Sequence, residues 1–299
     1  TVIFWLAMNI GTDPITGTIS MLAAVLYCSL TPALTCLTIG FLKPRLEQNW
    51  IWLFPFAWIS LEYFRNMDVL TGGPWTALAN SQTEFLTLVQ NSEITGIYGI
   101  SFWIVLINIL IYNWMVRPYP QHIFALTLVF IFPWVTGLIL APMPANNNGS
   151  YLDVALVQPN IHLSQKWKKG GAKTNMKNLL NMSKPAIEDS VDLIIWPESA
   201  TSAFIMQGSP HYLKNIQSSL GTSTLLTGLP YYLGSGSNRK FYNSATMITS
   251  DYVADPYHKL ILVPMAEHIP LSDYFPSLKD LNWGQANFTH GKNHTLFQL

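Results

Sequence analysis

The sequence predicts a polytopic α-helical membrane region followed by an α/β domain. Three observations predict it. Of the 16 basic and 16 acidic residues in the 299-residue chain, only about ten fall within residues 1–142. Within that stretch lie uncharged apolar runs long enough to cross a bilayer, which takes about 20 residues. In residues 143–299, short apolar strands first alternate with helical segments and then follow one another directly, the order of a mixed sheet flanked by helices.

Thr18–Leu42 and His122–Ala141 are the two clearest spans, and Gly99–Val116 is a slightly short third. Trp50–Phe64 is shorter and carries Glu62, so it is either a span or a helix buried among the others. Thr1–Ile10 is apolar, starts without a Met, and reads as the stub of a helix. It lacks the basic start and small-residue cleavage site of a signal peptide. Lys43 and Arg45 fall in one connection and Arg117 in another, whereas Gly11–Gly17 has no basic residue. Basic connections stay in the cytoplasm, so the chain is expected to leave the membrane after Ala141 on the outer side, which makes the second domain extracytoplasmic. Asn146–Gly149 marks the linker, dividing the chain into residues 1–142 and 143–299.

The second region reads as strand Leu152–Gln158, helix Asn175–Ser190, strand Val191–Trp196 and helix Pro210–Leu220. Strands Thr224–Leu229, Lys240–Thr249 and Tyr257–Val263 follow, with a Gly/Ser turn at Gly234–Asn238. This is an α/β sandwich. The only cysteines, Cys28 and Cys36, lie in one apolar run and read as small packing residues rather than a disulfide framework. The seven histidines form no metal-ligand pattern, so no metal and no cofactor is expected. The formal net charge is zero, and no nucleic-acid partner is expected.

Two strand exits carry chemistry. Asp192-Leu-Ile-Ile-Trp-Pro-Glu-Ser199 delivers Glu198 just past an apolar strand that Pro197 terminates. Strand ends are where rigid scaffolds present catalytic groups, although Glu198 could equally cap a following helix. Tyr257-His-Lys-Leu-Ile-Leu-Val-Pro-Met-Ala-Glu267 sets Lys259 inside an apolar strand and Glu267 past the Pro264 break. A lysine is rarely buried without a partner, and a Lys–Glu pair in a cleft can move protons and stabilise an oxyanion. Lys259 could instead snorkel to solvent at a sheet edge. Ser199 has no nucleophile elbow around it and Ser244 has no His nearby in sequence, which speaks against a serine mechanism.

These phrases, with Gly73-Pro-Trp75, Ser81-Gln82, Gly96-Ile-Tyr-Gly-Ile-Ser101 and Val157-Gln-Pro-Asn-Ile161 before Trp167, resemble the nitrilase superfamily, and within it the bacterial apolipoprotein N-acyltransferases. The resemblance implies a nitrilase-like αββα sandwich. It makes Glu198 the general base, Lys259 the support of the tetrahedral intermediate, Glu267 a further acid at the site and Trp167 a lipid-binding residue. It implies acyl transfer from a phospholipid to the α-amino group of a diacylated lipoprotein through a cysteine thioester, by a monomer in the bacterial inner membrane. A membrane-anchored amidase or a non-catalytic binding module are the alternatives. The family's nucleophilic cysteine lies beyond the lysine, and no cysteine follows Cys36. The sequence is therefore expected to be a fragment cut at both ends, with its last domain incomplete.

Overall fold

The computed structural model describes residues 4–8, 13–67, 76–141, 151–166, 168, 170–264, 266–269, 271–272, 274–280 and 286–299. The phrase Gly73-Pro-Trp75, Trp167 and the expected linker Asn146–Gly149 lie outside these residues. The chain forms two compact units, one over Thr1–Met8 and Pro14–Asn147 and the other over Asn9–Asp13 and Asn148–Leu299.

The first unit is helical. Helix α1 (Pro14–Leu46), α2 (Phe54–Met67), the single turn α3 (Leu86–Val89), α4 (Ser92–Val116) and α5 (Pro120–Leu140) follow in order. Among the described residues, α1, α4 and α5 are long and apolar enough to cross a membrane. The third span starts earlier than the pattern indicated because α4 continues N-terminally through a break at Gly96, whose φ of 63° is left-handed backbone that glycine adopts without a Cβ clash. Residues 4–8 make a short 3-10 turn.

Helix α2 is the ambiguous segment, and its acid decides how it packs. Glu62 is 1% exposed. One of its oxygens accepts from the Leu78 amide at 3.1 Å and the Ser101 hydroxyl at 3.2 Å, and the other from Trp58 Nε1 at 3.1 Å. Ser101 in turn accepts from the Ala79 amide at 3.1 Å. One buried carboxylate therefore ties α2 to residues 78–79 and to α4, and every donor it meets is satisfied.

The second unit is a five-stranded mixed sheet in the order β1-β2-β3-β4-β5. Strands β1 (Val154–Leu156), β2 (Leu193–Ile195) and β3 (Thr224–Leu233) are parallel neighbours; β4 (Lys240–Ile248) and β5 (Tyr257–His258) add antiparallel. Between β1 and β2 run α6 (Leu163–Lys166) and α7 (Gly171–Glu188); α8 (Pro210–Ser219) joins β2 to β3. Met176 and Leu179 of α7 and Ile216 of α8 pack on Ile194, Leu225 and Ile248 of the sheet. Burying each such side chain contributes about 1.5–3 kcal/mol.

Two strands differ from the pattern. Strand β3 does not close at Gly228 and Pro230 but runs on to Leu233 opposite β4. Strand β2 ends at Ile195, paired with Leu226, so beyond that point β3 has a free edge where a proline costs no ladder bond. Strand β5 is only two residues long rather than running to Val263. The Leu260 amide donates to the Tyr257 hydroxyl at 3.4 Å and the Val263 amide to Glu267 at 2.8 Å, so both leave the ladder. Lys259 consequently stands just past a strand, not inside one, and Ile261, two residues on, is 83% exposed.

Candidate active site

The turn that carries Glu198 is fixed from three sides. Trp196 is buried, with its amide on the Leu226 carbonyl at 2.9 Å and its indole Nε1 on the Ser183 hydroxyl of α7 at 2.9 Å. Behind the turn lies Gly228, where a Cβ would meet Ser199 N at 2.6 Å and Glu198 Cα at 2.7 Å. Ser199 has a φ of 50°, a left-handed conformation costly for a residue with a Cβ. The next helix, α8, begins only at Pro210, so Glu198 does not cap it.

Glu198, Lys259 and Glu267 meet, as their two strand exits suggested. Lys259 Nζ lies 2.9 Å from Glu198 Oε1 and 3.0 Å from Glu267 Oε2. The Lys259 side chain is 27% exposed, Glu267 13% and Glu198 61%, so the lysine is partnered rather than snorkelling and Glu198 is the group open to solvent. Glu267 is held from behind by the Val263 amide. Lys259 is held by its amide on the Asn243 carbonyl at 2.8 Å and by its carbonyl under the Gly291 amide at 2.8 Å.

A fourth member was missed by the sequence reading. Asn243, in the middle of β4 and 4% exposed, donates from Nδ2 to Glu198 at 2.5 Å and to Glu267 at 2.7 Å. Its amide and the Lys259 ammonium each bridge the same two carboxylates, which keeps two acids close together without one having to take a proton. A lone Asn in an alternating strand carries no signal of this; only a polar residue on an inward β position hints at it.

Burial pushes the Glu198 carboxyl upward. The hydrogen bond and charge of Lys259, the Asn243 amide and the charge of Lys166 outweigh that effect and hold it below the usual carboxylate range. Burial likewise lowers Lys259, but its hydrogen bonds and charge pairing with Glu198 and Glu267 leave it above the ordinary lysine value. Lys166, at the end of α6, is pulled down by burial against the opposing charge of Glu198. The site at rest is an ionised base facing a charged acid, able to take a proton at Glu198 and to stabilise an oxyanion from Lys259.

Ser244 has no histidine nearby in sequence, but the fold brings one to it. His258 Nδ1 lies 2.8 Å from its hydroxyl. Ser244 is nevertheless buried and points to the sheet face opposite Asn243, away from Glu198, so the pair does not make a nucleophile for this site. Among the described residues, no group of three or more His, Cys, Asp or Glu side chains is arranged to hold a metal ion.

Residues 1–110 match the family model of the apolipoprotein N-acyltransferase N-terminal domain. The chain is 32% identical over 292 residues to the apolipoprotein N-acyltransferase of Geobacter metallireducens, covering 92% of this chain and 54% of that protein. It is 27% identical to that of Chlorobaculum tepidum, covering 82% and 51%, and 27% identical to that of Shewanella oneidensis, covering 97% and 58%. The chain thus spans about half the length of the curated relatives it matches. A glutamine-dependent NAD+ synthetase from Acinetobacter baumannii aligns with a TM-score of 0.33 and 16% identity over 50% of this chain and 26% of that one, too slight a likeness to assign a fold. By these matches the chain is similar to the apolipoprotein N-acyltransferases along most of its length.

Proposed function

We propose that this chain serves the N-acylation of lipoproteins: an acyl chain passes from a membrane phospholipid to the α-amino group of a diacylglyceryl-cysteine N-terminus. The observation that carries the reading is the cluster of Glu198, Lys259, Glu267 and Asn243 in a chain related to named apolipoprotein N-acyltransferases. In this reading residues 143–299 form a nitrilase-like catalytic domain on the outer side of the bacterial inner membrane, anchored by the helices before it.

The chemistry runs through a thioester. Residues 1–299 hold two cysteines, both in α1. The thiol that carries the acyl chain comes from the part of the relatives' length that these residues do not span. Glu198 takes the thiol proton, and the thiolate attacks the phospholipid ester carbon. Lys259 stabilises the oxyanion while Glu267 and Asn243 hold Lys259 and Glu198 in place. The C–O bond breaks, the leaving alkoxide recovers the proton from Glu198, and a lysophospholipid departs. The lipoprotein amine then attacks the thioester, gives its proton to Glu198, and the thiolate leaves as the amide forms. Both substrates are lipid-anchored, so a site tethered at the membrane raises their effective concentration. Water must stay out, or hydrolysis replaces transfer. Trp167 contributes to binding the lipid substrates, beside a basic stretch that suits anionic head groups. The enzyme acts as a monomer without metal or cofactor.

The test uses the full-length protein in vesicles containing a phospholipid with a labelled acyl chain and a diacylglyceryl-cysteine peptide. The expected products are lysophospholipid and labelled N-acyl peptide in equal amounts. Release of carboxylic acid from a small amide, with no lysophospholipid formed, would replace the transferase with an amidase.

A further inference from the structure

The Lys259 ammonium must sit between two carboxylates, yet the strand that delivers it is two residues long. Backbone pairing of Tyr257 with Ala245 and of His258 with Ser244, plus one amide bond to Asn243, is slight support for a group whose placement sets the chemistry. The side chain next to Lys259 supplies the rest. His258 stacks on Tyr242 with ring centroids 4.3 Å apart and planes at 20°, and Tyr231 of β3 lies 5.2 Å from it. Its Nδ1 shares a hydrogen bond with Ser244 Oγ at 2.8 Å.

Strand alternation gives this clamp its role. Side chains that face each other across an antiparallel pair share a sheet face, and neighbours along a strand take opposite faces. Asn243 and Lys259 therefore project to the Glu198 side, while Tyr242, Ser244 and His258 project to the other. The same two strands hold the polar bridge on one face and the aromatic clamp on the other, in register.

We propose that His258 is the positioning residue that seats Lys259 between Glu198 and Glu267. This rests on the reading of the site given under Proposed function. His258 touches no reacting atom; it pins β5 to β4 one residue before Lys259. The clamp needs a neutral ring. The titratable groups around His258 are Tyr231 of β3 and Tyr242 of β4, with Tyr257 and Lys259 next along the chain and His290 and Lys292 flanking Gly291, whose backbone runs beside His258. No carboxylate lies within ion-pair distance of it among the described residues. An imidazolium there would be a half-buried cation without a counter-charge, and burial holds the ring below the ordinary histidine range. Protonation of the ring in acid therefore loosens the seat.

The experiment is His258→Phe in the full-length protein, which keeps a ring against Tyr242 but removes the Ser244 bond and the titration. Its kcat should fall about tenfold with KM unchanged, the size expected of a sub-ångström misplacement. The acid limb that this ring gives the wild type, below the ordinary histidine range, should vanish from its pH profile. In parallel, competitive acetylation of lysines is read by mass spectrometry on both proteins, and needs no turnover. Lys259 should be several-fold more reactive in His258→Phe, because an ammonium freed from its carboxylates releases its proton more readily. An unchanged pH profile together with unchanged Lys259 acetylation would overturn the proposal. Were the wild type to transfer no acyl chain while the acetylation difference persisted, the positioning role would stand and the transferase reading would fall.

Discussion

Glu62 and Glu198 are both acids in apolar sequence, and the structure treats them in opposite ways. Glu62 is closed: Trp58, Leu78 and Ser101 occupy its oxygens, and it is 1% exposed. Glu198 is open: Lys259 and Asn243 both bind Oε1, and the side chain is 61% exposed. A buried carboxylate with both oxygens engaged by donors of its own unit can only hold helices together. One charged by neighbours on one side and facing solvent on the other can exchange a proton with a substrate. The difference lies in the partners, not in the residue type.

Substitution should separate the two roles. Glu198→Gln in the full-length protein keeps shape and removes the base. Thioester formation should fall by at least about 100-fold, the usual general-base contribution, with only a small loss of thermal stability because the side chain is 61% exposed. Unaltered acyl-enzyme accumulation would remove Glu198 from the chemistry. Glu62→Leu should do the reverse. It strands buried donors at about 1–3 kcal/mol each, so the folded fraction in detergent drops while the rate per folded molecule holds.

Gly228→Ala sharpens the comparison by changing none of the site side chains. Its Cβ would press on Glu198 Cα and Ser199 N, so the turn must shift. A displacement of that size should lower kcat about tenfold or more, read against unchanged α7 and α8 packing by hydrogen exchange.

The smallest effect is on pH. Glu198 is held below its ordinary value, so the stability it adds is present above the unfolded carboxylate range and lost only as pH falls through the lower folded value. Lys259 is held above its ordinary value, so its contribution is present below the unfolded lysine range and lost as pH rises through the higher folded value. Asn243→Ala removes a donor from Glu198, and the Glu198-dependent acid limb should move up toward the ordinary carboxylate range. A limb that stays put in a pH–rate titration would show that the Asn243 bond does not tune the base.

Glu198 and Glu267 were legible because each follows a proline-marked end of an apolar run, and a strand exit is a local property. Lys259 was legible as a residue with no reason to be in apolar company, but its surroundings were not. Strand β5 proved short because the amides of Leu260 and Val263 go to Tyr257 and Glu267, partners that only the folded loop brings within reach. Asn243 and the Ser244–His258 pair were invisible for the same reason. Each joins β4 to residues that are neighbours only once the antiparallel register is set.

By itself the sequence determined the uneven charge, the long apolar helices, the strand-and-helix order and the chemical types at two strand exits. These depend on periodicity and composition, which act within a few residues. Only the tertiary structure decided that Glu62 is sealed and Glu198 open, that Lys259 lies between two acids, and that an asparagine bridges them. Those outcomes depend on which donors a register and a turn bring within about 3 Å, and hydrogen-bond geometry at that range is fixed by packing rather than by sequence neighbours.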